Sequence, residues 1–356
     1  MEAGKRQRRS ALSDVASLAG VSQQTVSRVV NGHPYVADRT RRRVQEAIAT
    51  LGYRPNTAAR ALATGVTRSI GLVTFNIGEY GPAQTMLGLE RAARAAGYSL
   101  TITVLDEISA PAMQEAVERL VGQSVDAVIV LGTYAGALDA VQELRTAVPV
   151  VSVRAAPAPA RPTVWVDQEA GARMATRYLL DLGHATVHHV AGPPDSLDAR
   201  QRLFGWEEEL RHRGIDVPEP LPGDWTAAAG YRAGVEFAAL LSAEGRARPT
   251  AVFVANDQMA LGLLKAVQER GISVPGDLSV IGFDDLPESG YFLPALSTVR
   301  QDFAELGRCG VQTALDILTG QPHENRSTVP PLLVVRDSTA PPVSSREIRM
   351  SRRFRG

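Results

Sequence analysis

A small all-α head joined to a two-part α/β body is the fold class that this 356-residue sequence predicts. Three observations predict it. The first fifty residues hold three short helical stretches punctuated by Gly20, Asn31-Gly32 and Gly52. From Ser69 onward, apolar strand candidates of five to seven residues alternate with amphipathic helical patterns, the signature of parallel sheets covered on both faces. Charge divides along the same line: residues 1–68 carry twelve Lys/Arg against four Asp/Glu, so a head of +8 balances a body of −8 within a net charge of zero. A small basic head on an acidic body points to a polyanionic partner at one end.

In the head, the first helix runs from about Ser13, a candidate N-cap, to Gly20; Ser22 caps a second over Gln23–Val30; a third begins near Asp38 and carries Val44, Ile48 and Leu51 on one stripe. Helix, three-residue turn, helix is the spacing of a helix-turn-helix. The second helix exposes Gln23, Gln24, Thr25, Ser27 and Arg28, hydrogen-bonding side chains of the kind that read base edges. After Pro55, Asn56–Ala63 has helix propensity but is shorter than the ~12–15 residues that hold a helix alone in water. It is expected to be disordered unless something holds it.

In the body, the expected strands are Ile70–Thr74, Tyr98–Val104, Ala127–Leu131, Pro149–Val153, Val187–Ala191, Ala251–Ala255 and Leu278–Gly282. The expected helices are Gln84–Ala96, Pro111–Val121, Leu138–Ala147, Glu169–Leu182, Leu197–Arg213, Ala227–Ala243 and Gln258–Arg270, with Gly97, Gly183, Gly214 and Gly271 at C-cap positions. The Pro/Ala-rich stretch Ala155–Pro162 is the natural crossing between two units. Ligands of such sheets bind at the carboxyl ends of the strands.

Several function classes drop out. A lone Cys309 excludes a disulfide scaffold and any Cys-rich zinc site, and fits a reducing cytosol. No apolar run approaches the ~18 residues of a membrane span, and no apolar segment follows the basic N-terminus as in a secretory signal. No phosphate-binding glycine loop, nucleophile elbow or zinc-protease motif is present, so no enzyme, cofactor or metal site is expected. His188 and His189 point to opposite faces of a strand and cannot share an ion. Asp284-Asp285, after a strand, suits binding of sugar hydroxyls better than catalysis, for want of a second catalytic group.

The motifs Leu12-Ser13-Asp14-Val15-Ala16, Ala19-Gly20-Val21-Ser22 and Thr25-Val26-Ser27-Arg28-Val29-Val30-Asn31 resemble the helix-turn-helix of the LacI/GalR family of bacterial repressors. In the body, Ala191-Gly192-Pro193, Ala199-Arg200, Gly205-Trp206, Gly223-Asp224-Trp225, Val254–Gly262 and Gln301-Asp302-Phe303 resemble the same family, so the likeness runs from about residue 11 to 340. The resemblance implies a cytoplasmic, operator-binding homodimer whose body is like type 1 periplasmic sugar-binding proteins. It divides the chain into a basic arm (1–10), the helix-turn-helix (11–54), a hinge helix and linker (55–68), an effector-binding and dimerisation domain (69–340) and a basic tail (341–356). Within the domain, one subdomain takes about 69–166 and 299–327 and the other about 167–298 and 328–340, with a sugar between them.

Residue roles follow from the matched motifs. Gln23, Gln24 and Arg28 read bases; Thr25, Ser27, Asn31, Tyr35 and several arginines of 39–43 fix register on phosphates; Val26 is core. Asn56 opens the hinge helix, and Leu62 matches the leucine that wedges into the minor groove. Arg200, Asn256 and Asp284 match sugar-binding positions, Trp225 matches the indole that packs on a pyranose, and Gln301 and Phe303 match pocket residues at the crossover. Two departures stand out. Arg154 stands where the sugar-binding member that these motifs resemble carries an aspartate, and Leu131 where it carries a polar side chain. An anionic or longer saccharide would suit such an arginine. The tail lacks the leucine heptads of a tetramer, so a dimer is expected. The expected function is a sugar-induced repressor of a sugar-utilisation operon, a galactoside being the first candidate; a corepressor-activated regulator and a sugar-binding or sugar-metabolising protein are the alternatives.

Overall fold

The computed structural model of the chain describes residues 10–30, 32–53, 65–132, 134–153, 161–242 and 248–342. It divides into two compact units, the boundary falling between Thr67 and Arg68.

The first unit is a three-helix head: α1 (Leu12–Ala19), α2 (Gln23–Val30) and α3 (Asp38–Leu51). Val15, Ala16, Ala19, Val26, Val29, Val44 and Ala47 form its core, so Val26 is buried as expected. Ser13 is not the first cap. Helix α1 already starts at Leu12, and the Asp14 carboxylate accepts from the Ala11 N–H at 2.8 Å. Ser22 does cap α2, its hydroxyl accepting from the Thr25 N–H at 3.2 Å.

The second unit has two lobes. The first lobe is built on a six-stranded all-parallel sheet of order β2-β1-β3-β4-β5-β10: β1 (Ser69–Thr74), β2 (Ser99–Val104), β3 (Ala127–Leu131), β4 (Val150–Val153), β5 (Thr163–Val166) and β10 (Arg326–Val329). Helices α4 (Tyr80–Ala95) and α11 (Phe303–Thr319) cover one face, and α5 (Ala110–Gly122) and α6 (Ala135–Glu143) the other. The second lobe has the three-stranded parallel sheet β6-β7-β8 (His188–Val190, Ala251–Val254, Ser279–Ile281). Helices α7 (Gln168–Asp181) and α8 (Leu197–His212) lie on one face, and α9 (Ala227–Ser242) and α10 (Asp257–Gln268) on the other. Each sheet therefore has an apolar core on both faces, as continuous apolar strands demand.

Two expectations are corrected. Chain crossing does not fall in Ala155–Pro162: β5 still pairs with β4 and β10, and the chain leaves the first lobe at Asp167, which caps α7, next to the 166/167 bound that the family resemblance implies. The return crossings follow pairing too, since β9 (Thr298–Arg300) joins β11 (Leu332–Val334) in an antiparallel pair beside β8 while β10 belongs to the first lobe. Helix α4 begins four residues before Gln84, because Pro82 sits in the first turn, where its missing N–H costs no hydrogen bond.

Helix α11 is absent from the sequence-based reading. Gly307 breaks its apolar stripe, and the reason is contact: a Cβ there would lie 2.2 Å from the Gly88 carbonyl carbon of α4. The two helices cross backbone to backbone.

Candidate functional site

On the head, Gln23, Gln24 and Arg28 are exposed along α2, with Thr25 and Ser27 partly so. Tyr35 is 88% exposed, its ring tilted against His33 at 5.7 Å between centroids. The arginines of 39–43 divide. Arg43 donates to the carbonyls of Ala19 and Gly20, closing the end of α1, and Arg41 donates to the His33 carbonyl at 3.1 Å. These two therefore brace the head, although Arg43 is exposed, as are Arg39 and Arg42. Asn31, Asn56 and Leu62 lie outside the described residues.

In the body, a cleft opens between the lobes at the carboxyl ends of both parallel sheets, where the topology of such sheets puts ligands. It holds about 380 Å³ of space between atoms, part of it open solvent. Glu79, Tyr80, Gly81 and Pro82, from the turn after β1 into α4, form the first-lobe wall. The second-lobe wall is formed by Ser196, Asp198 and Arg202 on α8, by Trp225, by Asn256 and Gln258 at the start of α10, and by Asp284.

Asn256 reaches the wall as the N-cap of α10: its Oδ1 accepts from the Met259 N–H at 2.9 Å and its Nδ2 donates to the Trp225 carbonyl at 3.1 Å. Trp225 is held with φ +71°, and its indole lies where a Cβ on Gly192 would sit, 2.4 Å away. The apolar plate, the amide and the carboxylate expected from sequence thus share one wall.

Arg200 does not join them. It is exposed on α8 and donates to the Pro194 carbonyl at 2.6 Å. The arginine of the cleft is Arg202, in phase with the buried Trp206 and Leu210 of the same helix, whereas Arg200 is out of phase. Arg202 is 2% exposed and lies over the Phe283 ring at 3.8 Å. Its Nε donates to Gln168 Oε1 (2.9 Å), one Nη to the Ala255 carbonyl and the other to Asp284 Oδ1 (3.3 Å). Gln168 Nε2 donates to Gln301 Oε1 (2.8 Å), and Gln301 Nε2 to Asp284 Oδ1 (2.6 Å).

The ring has a chemical direction. Guanidinium only donates and carboxylate only accepts, so both amides between them have one allowed orientation. Gln168 and Gln301 also stand where the chain crosses between lobes, so the wall of the cleft is tied to the crossing strands.

Gln301 is therefore behind the wall rather than in it. Phe303 belongs to the first-lobe core, edge-on to Tyr80 at 5.7 Å. Leu131 is likewise core, 1% exposed, so it leaves no gap in a polar rim. Arg154 lies outside the described residues. Asp285 is held by Arg300 and Arg336, each at 2.6 Å, and is not among the residues that line the cleft.

The first-lobe wall was not foreseen. Tyr134, after β3, donates its hydroxyl to Glu79 Oε1 at 2.6 Å, and Asn76 Nδ2 donates to the same oxygen at 3.3 Å. Tyr134 also forms a backbone bridge to Ser196 of the other lobe. Burial, and then the Glu79 hydrogen bond, raise the Tyr134 hydroxyl well above the usual tyrosine value. Burial, and then the charge of Asp284, push Tyr80 up to about 12. The one signal in the sequence was position, since all these residues follow the carboxyl ends of strands.

His189 is core. It is stacked between Trp206 and Phe253 with Nδ1 2.9 Å from the Phe253 carbonyl oxygen, and burial brings it down to about 3. Among the described residues no cluster of three His, Cys, Asp or Glu could hold a metal, and no helix is long and apolar enough to cross a membrane.

An exposed helix-turn-helix surface and, in a separate unit, a two-lobed α/β body with a polar cleft are the parts of a DNA-binding regulator. Residues 11–56 match the family model of bacterial regulatory proteins of the lacI family, and residues 176–339 match a periplasmic binding protein-like domain. The chain is 35% identical over 336 residues to the lactose operon repressor of Escherichia coli (strain K12), covering 93% of this chain and 91% of that one. It is 33% identical to the transcriptional repressor PurR of Aliivibrio fischeri (strain MJ11), covering 92% and 97%. The crystal structure of the lac repressor dimer bound to operator and the anti-inducer ONPF superimposes with a TM-score of 0.82 at 34% identity, covering 94% of this chain and all of that one. The chain belongs to the LacI family: it is a DNA-binding transcriptional repressor.

Proposed function

We propose that the chain represses a sugar-utilisation operon from the cytoplasm as a homodimer and leaves its operator when a sugar occupies the cleft, a galactoside being the first candidate. The observation that carries this reading is the second-lobe wall, where the Trp225 plate stands beside the polar groups of Arg202, Asn256 and Asp284. Apolar plate plus fixed donors and acceptors is what a pyranose, with one apolar face and a rim of hydroxyls, requires. Similarity to a lactose operon repressor supports the same substrate class.

On the head, Gln23 and Gln24 suit adenine edges and Arg28 suits guanine, with Thr25, Ser27, Asn31 and Tyr35 on the backbone. Asn56 and Leu62 act in the hinge, Leu62 as a minor-groove wedge. Each dimer spans two half-sites about one helical turn apart.

Fluorescence anisotropy on DNA upstream of the chain's own gene, with and without a panel of sugars, tests this. A specific complex that one sugar weakens is expected. With coupling of ~1–3 kcal/mol, the affinity should fall about 5- to 150-fold. A sugar that tightens the complex would make it a corepressor, and a panel without effect would end the sugar reading.

A further inference from the structure

We infer that Glu79 sets ligand choice on the first-lobe side of the cleft, selecting sugars that present a hydrogen-bond donor there, hydroxyl or ammonium, and rejecting anionic sugars. This rests on reading the cleft as the effector site.

Glu79 leaves the carboxyl end of β1 as the N-cap of α4 and faces the cleft opposite Arg202. Its carboxylate is held by the hydroxyl of Tyr134 and the amide of Asn76, and Tyr134 is in turn bridged to Ser196. The group is thus fixed where the two lobes meet and presents acceptor chemistry to whatever lies between them.

The surroundings reinforce that sign. Among the described residues the cleft is lined by the carboxylates Glu79, Asp198 and Asp284 and by the Arg202 guanidinium, which is engaged by Asp284, Gln168 and Ala255. The charge that raises Tyr80 most, after burial, is the cleft carboxylate Asp284, as a negative neighbour does. Helix N-termini would attract anions, and three begin here. Each already carries a polar or acidic group at its start, Glu79 at α4, Ser196 and Asp198 at α8, and Asn256 and Asp257 at α10. The described lining therefore argues against the anionic ligand that Arg154 alone suggests.

Calorimetry on the full chain with two matched triplets tests this: galactose, galactosamine and galacturonate, and glucose, glucosamine and glucuronate. In each triplet the uronate should bind at least about tenfold more weakly than the neutral sugar. Glu79→Gln keeps an acceptor for Tyr134 and should narrow that gap about tenfold; Tyr134→Phe should shift it the same way. A uronate binding tightest to the unmodified protein overturns the inference, as does a ranking that Glu79→Gln leaves unchanged. A uronate preference lost in Arg154→Ala would assign the selection to that arginine instead. If none of the six sugars binds, the sugar reading itself fails; if sugars bind but Glu79 does not affect their order, only the present inference falls.

Discussion

Removing Arg202 should cost the body far more than removing Arg200, two positions away on the same helix. Arg202→Ala leaves the Asp284 carboxylate buried without its cation and strips the donors from Gln168 Oε1 and the Ala255 carbonyl. Breaking one side of a buried pair costs about 3–5 kcal/mol, since the remaining charge is neither solvated nor paired. Arg200 is exposed and makes one hydrogen bond to Pro194, so Arg200→Ala should fall within about 0.5 kcal/mol of the unmodified protein. Urea unfolding followed at the body's own transition reads the difference directly.

The double variant Arg202→Met/Asp284→Leu removes both charges together and should recover much of the loss, because a buried ion pair is worth little more than apolar side chains of similar volume. Sugar binding should fall at least about tenfold in Arg202→Ala and remain unchanged in Arg200→Ala. Equal costs for the two arginines, or a double variant whose loss is the sum of its parts, would refute both the ring and the assignment of Arg202 to the wall.

Buried His189 and Asp257 should give opposite pH dependences. His189, at about 3 in the fold against an ordinary 6.5, contributes stability that is complete above pH 6.5 and is lost as pH falls from there toward 3. Asp257, raised by burial to about 7 from 3.8, contributes stability that is present below 3.8 and is lost as pH rises through 7. Urea unfolding between pH 4 and 8 should therefore show a flattened acid limb in His189→Phe and a flattened neutral limb in Asp257→Asn, whatever either change does to the plateau. Gly307→Ala drives a Cβ into the α4 backbone and should cost about 1–3 kcal/mol by thermal unfolding; a neutral result would contradict the close helix crossing. On the head, Gln24→Ala and Arg28→Ala should each weaken specific operator binding by ~1–3 kcal/mol in anisotropy titrations while nonspecific binding changes less. Uniform weakening across sequences would mean that they touch phosphates only.

The sequence by itself determined whatever rests on short-range periodicity and chain punctuation. The three helices of the head, the α2 face bearing Gln23, Gln24 and Arg28, and seven parallel strands were legible because apolar period and glycine caps act over a few residues. Asn256 and Asp284 were legible too, since each follows a strand whose apolar run is unmistakable. Strand β10 was not: Arg-Ser-Thr-Val has no apolar run, and β5 makes it a strand by pairing with it from 163 residues away. The choice between Arg200 and Arg202 was likewise tertiary, decided by which face of α8 meets the core. Gln168 and Gln301 lie 133 residues apart and are joined only because both crossings pass the same point. Tyr134 meets Glu79 in the same way, across the ends of two neighbouring strands. A motif registers the residue types at a site, whereas donor, acceptor and charge balance there depend on contacts between segments that only the packed lobes bring within hydrogen-bonding distance.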